Sequence, residues 1–290
     1  MTSHGEIVVT LAGEVVPAEV PIGHVDDPMV SRGDGVFETL LVRDGRACLV
    51  GPHLERLVRS AATVGLPRPD PAGWRSAIAT AAGAWTDTGD AVCRLVWGRG
   101  RDGGPVGFVT VSGLPDRVRS ARRDGVAAMT LDRGVSVGDP RIAGSDADPW
   151  STAGVKSLSY AVNAAALRHA QRLGVGDVVL VSSDGFVLEG PRSNVVVATG
   201  DGGLATPPAS LPILAGTTVA AVFDVARRRG RTCAERPLRV GDLLAADGVW
   251  LLSSITLAAR VHTLDGHPLP LRAGAFDVAA AVDEALSEHD

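Results

Sequence analysis

Lys156 is the only lysine among 28 basic side chains; the other 27 are arginine. Codon usage in a GC-rich genome explains a scarcity of lysine, but not the survival of one. A surface ammonium can be exchanged for a guanidinium at little cost, whereas a nucleophilic amine cannot, because arginine does not deprotonate in proteins. A desolvated lysine can lose its proton and attack a carbonyl. The count therefore sets covalent chemistry at Lys156 beside the plain reading of codon bias. Lys156 lies in Ala153-Gly154-Val155-Lys156-Ser157-Leu158, just before a helical pattern over 157–173 in which Leu158, Val162, Ala165, Ala166 and Leu173 recur. Small and apolar neighbours suit a desolvated amine.

Two further segments could serve such an amine. Leu214-Ala215-Gly216-Thr217-Thr218 precedes a helical run to Arg229. Backbone N–H groups and two hydroxyls at a helix start suit a phosphate, although simple capping uses the same residues. Glu189 closes the apolar run Gly185 to Glu189, with Ser193-Asn194 just beyond. Alone it reads as an exposed strand end. A lysine, a carboxylate and an anion site together suggest pyridoxal 5′-phosphate, which needs an amine for its aldehyde, an acid for its ring nitrogen and a cradle for its phosphate.

Other chemistries find no support in the pattern. Gly98-Arg99-Gly100-Arg101-Asp102-Gly103 matches the dinucleotide fingerprint, but a strand rather than a helix follows it, so it reads as a hairpin turn. The seven histidines show no metal-ligand spacing, and no metal site is expected. Three scattered cysteines read as small core residues in a reducing cytoplasm. A net charge of −5 argues against nucleic acid, and no run reaches the ~20 apolar residues of a membrane span. The first ten residues lack the pattern of a signal peptide.

The elements that must position these residues are strands and helices in mixed order. Strands are expected at 7–11, 14–16, 36–42 and 47–50, the last two joined by Arg43-Asp44-Gly45-Arg46. Helices follow at 53–64 and 71–85, then strands at 91–97, 106–112 and 126–131. The second half reads as helix 157–173, strands 177–182, 186–189 and 194–198, helix 217–229, strands 231–236, 248–253 and 260–264, and helix 276–287. With 45% apolar and 21% charged residues in 290, the chain reads as an α+β protein of two domains. The expected division is 1–120, a linker at about 121–135 in Gly- and Pro-rich sequence, and 136–290.

Several segments, in order, resemble fold-type IV pyridoxal-phosphate enzymes, the class IV aminotransferase group. They are Arg32-Gly33-Asp34-Gly35-Val36-Phe37-Glu38-Thr39, His53-Leu54-Glu55-Arg56-Leu57, Gly98-Arg99-Gly100, Lys156-Ser157-Leu158, Glu189 with Ser193-Asn194, and Ile213 to Thr218. The resemblance implies two α/β domains with the cofactor at their interface, and a homodimer. It implies that Lys156 is the Schiff-base lysine and proton carrier and that Glu189 pairs with the pyridinium nitrogen. Arg56, Thr217, Thr218 and Ser254 match phosphate-binding positions, and Asn194 belongs to the cofactor segment.

The resemblance is nearest to the 4-amino-4-deoxychorismate lyase branch, which makes 4-aminobenzoate and pyruvate for folate. The alternative is an aminotransferase acting on D-amino acids, branched-chain amino acids or R-amines, with dual activity also open. Phe37 stands where D-amino-acid aminotransferases carry a tyrosine that helps to hold the substrate carboxylate, and phenylalanine cannot donate that bond. Arg99 matches a carboxylate-binding arginine of that branch. Arg32 replaces the usual aromatic residue before Gly-Asp-Gly. Arg32 and Arg99 are therefore candidate receivers of the substrate's two carboxylates, with a surface or inter-subunit ion pair as the other reading of Arg32.

Overall fold

The computed structural model describes residues 6–138 and 150–288. Packing divides them into two compact units. One comprises the residues up to Pro115 together with Val155–Tyr160; the other runs from Asp116 to Gly154 and from Ala161 to Glu288.

The first unit holds β1 (Ile7–Thr10), β2 (Val15–Val16), α1 (Pro28–Ser31), β3 (Gly35–Arg43), β4 (Arg46–Ala47), α2 (Val50–Thr63), α3 (Pro71–Gly83), β5 (Ala91–Arg99) and β6 (Pro105–Gly113). The strands form one antiparallel sheet in the order β2-β1-β6-β5-β3-β4. Strand alternation sorts the side chains. Val36, Leu40 and Val42 of β3 and Cys93, Leu95 and Trp97 of β5 join Leu54, Leu57, Trp74 and Ile78 of the helices in one core. Phe37 pairs with Val96 and Thr39 with Arg94 on the opposite face. Asp70 starts α3 by accepting from the backbones of Ala72 and Gly73, with Pro71 at the first helical position. The fingerprint-like glycines form the β5–β6 hairpin turn, in which Gly100 N–H donates to the Gly104 carbonyl.

The second unit holds α4 (Asp116–Asp124), β7 (Val126–Asp132), α5 (Ala161–Arg172), β8 (Asp177–Val181), β9 (Asn194–Ala198), β10 (Leu204–Thr206), α6 (Thr217–Arg228), β11 (Cys233–Glu235), α7 (Val240–Ala245), β12 (Gly248–Ser253), β13 (Leu257–Leu264), β14 (His267–Pro268) and α8 (Val278–Glu288). Its mixed sheet runs β11-β10-β9-β12-β13-β7-β8, with β14 on β13. Val195, Val197, Val249, Leu251, Ala259 and Val261 fill the core beneath it.

Four expectations change. The helix expected from 157 begins at Ala161, because 155–160 is an extended segment hydrogen-bonded to β3. The strand expected at 47–50 ends at Ala47; Leu49, at φ +54°, turns the chain directly into α2. Residues 186–189 make only isolated bridges to Val181 and Arg239. The span read as a linker, 121–135, carries the end of α4 and β7, and the units divide at Asp116. Residues 139–149, within the Gly- and Pro-rich stretch, lie outside the described residues.

Candidate active site

Lys156 is carried by backbone pairing rather than by a helix. Its carbonyl accepts from Phe37 N–H at 2.9 Å, and Leu158 N–H donates to the Gly35 carbonyl at 2.8 Å. Ser157 bridges to Val36. Although it lies in the second half of the sequence, Lys156 therefore packs with the first unit. Its Nζ sits 4.5 Å from the centre of the Phe37 ring. Tyr160, the chain's single tyrosine, meets the same ring edge-on at 5.6 Å. The guanidinium of Arg94 lies 4.8 Å from it. Phe37 itself is 4% exposed.

On the core face of β3, one step along, stands Glu38, fully buried where the alternation calls for an apolar residue. The buried stripe of α2 answers it. Arg56 donates from Nε and Nη2 to the two carboxylate oxygens at 2.8 Å each, and His53 lies 2.7 Å away through Nδ1. Burial alone would raise the carboxyl of Glu38, but the Arg56 charge and its hydrogen bonds, with that of His53, hold it well below the usual carboxylate range. Burial pushes His53 down, against the pull of Glu38. Since the carboxylate only accepts, Nδ1 of His53 is the donor.

Two arginines expected at the substrate stand differently. Arg99 donates from Nε to Asp34 at 2.9 Å and from Nη2 to the carbonyls of Val64 and Gly65 at 3.3 Å each. It ties the Gly-Asp-Gly turn to the end of α2. Arg32 caps α1 through its backbone N–H to Pro28 and leaves its side chain exposed.

The second unit brings its own predicted residues together. Glu189 Oε2 accepts from Leu214 N–H at 3.0 Å, and the Leu214 carbonyl accepts from Asn194 Nδ2 at 2.8 Å. A side chain at Gly216 would overlap Asn194 Oδ1. Gly216 is the N-cap of α6 and offers no side chain to its first amides. Thr217 and Thr218 follow, both buried. Ser254 lies in the β12–β13 turn. Arg122 of α4 pins that turn from Nε and Nη2 to the Ile255 carbonyl, at 2.9 Å for Nε.

Sequence reasoning missed Arg94, Tyr160 and the Glu38–His53 pair. Tyr160 could have been found by the count that singled out Lys156. Glu38 announces itself as a charge in core phase. Among the described residues no group of three His, Cys, Asp or Glu side chains could hold a metal ion.

The chain belongs to the amino-transferase class IV family, whose profile matches residues 35–264. Its fold is that of class IV aminotransferases, the fold-type IV arrangement. It is 54% identical to the bifunctional aminodeoxychorismate lyase / D-amino acid transaminase of Mycobacterium tuberculosis, over 97% of this chain and 99% of that protein. A solved structure titled as a hypothetical aminotransferase from Mycobacterium tuberculosis in PLP-bound form is 53% identical, with a TM-score of 0.91 over 97% of this chain and 99% of that one. The fold IV-transaminase CpuTA1 from Curtobacterium pusillum is 39% identical, with a TM-score of 0.83 over 97% and 96%.

Proposed function

We propose that the protein is a pyridoxal-phosphate enzyme that splits 4-amino-4-deoxychorismate into 4-aminobenzoate and pyruvate and also exchanges amino groups of D-amino acids. The observation that carries this reading is the placement of the single lysine, pinned through its backbone to β3 with its amine against Phe37. The full-length relative with both activities in its name supports the choice of reactions.

The donor set fits the cofactor. One amine, one carboxylate anchored at Leu214 and a helix start lacking a capping side chain are the groups that an aldehyde, a ring nitrogen and a phosphate require. Lys156 would hold the aldehyde carbon, and Glu189 the ring N–H. Thr217, Thr218, Ser254 and Arg56 would hold the phosphate. Asn194 would brace the 214–216 turn. When bound, the cofactor supplies an electron sink for the carbon that bears the substrate amine.

Lys156 then takes the proton from that carbon. In the lyase reaction the neighbouring C–O bond breaks, the substrate ring becomes aromatic, and the enolpyruvate that leaves takes up a proton to become pyruvate. In the transaminase reaction Lys156 would instead give the proton back with no leaving group lost, and the amino group would be stored on the bound cofactor between release of one keto acid and arrival of the next. Both reactions need the same base, so one site can serve both. A homodimer in the cytoplasm completes the proposal; among the described residues no helix is long and apolar enough to cross a membrane.

The test is a product assay on 4-amino-4-deoxychorismate with no keto acid added. Equal, catalytic release of 4-aminobenzoate and pyruvate is expected. No release from a cofactor-loaded enzyme overturns the lyase reading and leaves D-amino-acid transamination to be assayed.

A further inference from the structure

We propose that Arg94 receives a carboxylate of the amine substrate, and that Arg99, the arginine at the matching family position, serves instead as a clamp. The assignment rests on the function proposed above.

Strand β5 alternates cleanly. Ala91, Cys93, Leu95 and Trp97 enter the core, while Val92, Arg94 and Val96 take the other face. An arginine between two valines in mid-strand is out of keeping with its neighbours unless the charge has a use. Register places Arg94 opposite Thr39 and Val96 opposite Phe37, so Arg94 shares the face of the Phe37 ring. Its guanidinium carbon is 4.8 Å from the ring centre, and Lys156 Nζ is 4.5 Å from that centre. One ring thus borders both the amine and the guanidinium, which makes Arg94 the candidate for the carboxylate of an amino acid whose nitrogen takes the place of the lysine amine.

The charges argue the same way. The Phe37 ring attracts the guanidinium of Arg94 but gives it no formal counter-charge. The adjacent carboxylate, Glu38, lies on the core face and is held by Arg56 and His53. Among the described residues Arg94 has no ion pair, and its side chain is exposed. An incoming carboxylate would give Arg94 an ionic partner, in the planar geometry that guanidinium favours. Arg99 lacks that freedom: Asp34, Val64 and Gly65 hold its Nε and Nη2.

The experiment compares the wild type with Arg94→Gln, Arg94→Lys and Arg99→Gln, each loaded with cofactor. KM and kcat are measured separately on 4-amino-4-deoxychorismate and on D-alanine, alongside Tm and the cofactor's absorbance band. Arg94→Gln is expected to raise KM by about 10- to 100-fold, the loss of one charge-assisted contact, with kcat moving far less. Arg94→Lys should recover part of the loss, and the absorbance band should persist in both. Arg99→Gln should lower Tm. An unchanged KM in Arg94→Gln with the band intact overturns the proposal. So does an Arg99→Gln enzyme with a raised KM and an unchanged Tm. A wild type that takes no cofactor, or turns over neither substrate, overturns the functional reading and this assignment with it.

Discussion

Glu38 and Arg56 form a two-point ion pair inside the first core, with Nε and Nη2 of Arg56 each 2.8 Å from a different oxygen of Glu38. Such a pair is asymmetric in its consequences. Replacing both partners by apolar groups can be harmless, but removing one leaves the other charged and buried. Glu38→Gln should therefore destabilise the protein by about 3–5 kcal/mol and weaken cofactor retention, because Arg56 loses the partner that aims it. Urea denaturation and titration of the apoprotein with pyridoxal phosphate measure the two effects.

The same residue sets a pH dependence with a definite sign. Its carboxyl is lower in the folded chain than in the unfolded one, where it titrates near ~4.3. The stabilisation it gives is complete above that value and fades as pH falls toward its folded one. The gap in stability between wild type and Glu38→Gln should accordingly be full at neutral pH and smaller in acid. A gap that widens as pH falls would show that the sign is wrong.

Lys156→Ala should lose both the absorbance shift of the attached cofactor and all turnover. Lys156→Arg should do the same, since a guanidinium keeps its proton at any working pH. Spectra taken on the two purified variants decide the matter, and normal turnover in either would remove Lys156 from the chemistry.

Glu189→Gln keeps the bond to Leu214 N–H available through its amide oxygen but gives up the negative charge. Cofactor should remain bound while kcat falls by roughly 10²- to 10³-fold, the scale of losing one preorganised electrostatic partner. A wild-type rate would reduce Glu189 to a brace for the 214–216 turn.

Gly216→Ala tests the turn itself. The backbone there, at φ −77°, suits any residue, so the effect comes only from the overlap with Asn194 Oδ1. Overpacking of this kind costs about 1–3 kcal/mol. Tm should fall and the pyridoxal-phosphate dissociation constant should rise together; a rise in neither would mean that Asn194 swings clear without consequence.

Much of this arrangement is legible in residue types. The lone lysine, the paired threonines at the start of α6 and the Gly-rich β5–β6 turn each carry a local signal, either a count, a cap or a break in period. The pairing of 155–160 with β3 carries none. Its bonds join Phe37 to Lys156 and Gly35 to Leu158, far apart in sequence, and no periodicity marks a segment so short. Helix α4 hides because Asp116–Asp124 is strongly polar, with only Val118 buried. Arg94 escapes notice because its role depends on which face of β5 it takes, which only the register with β3 decides.

The attachment of Lys156 to β3 also orders events in time. A growing chain presents Gly35 and Phe37 long before Leu158 and Lys156 exist to meet their backbone groups. The N-terminal sheet closes once β6 has been made and has paired with β1, but its reactive amine must be delivered later still, by closing the loop from Gly35 to Leu158. A chain interrupted between β6 and Lys156 would present a formed sheet with no nucleophile on it.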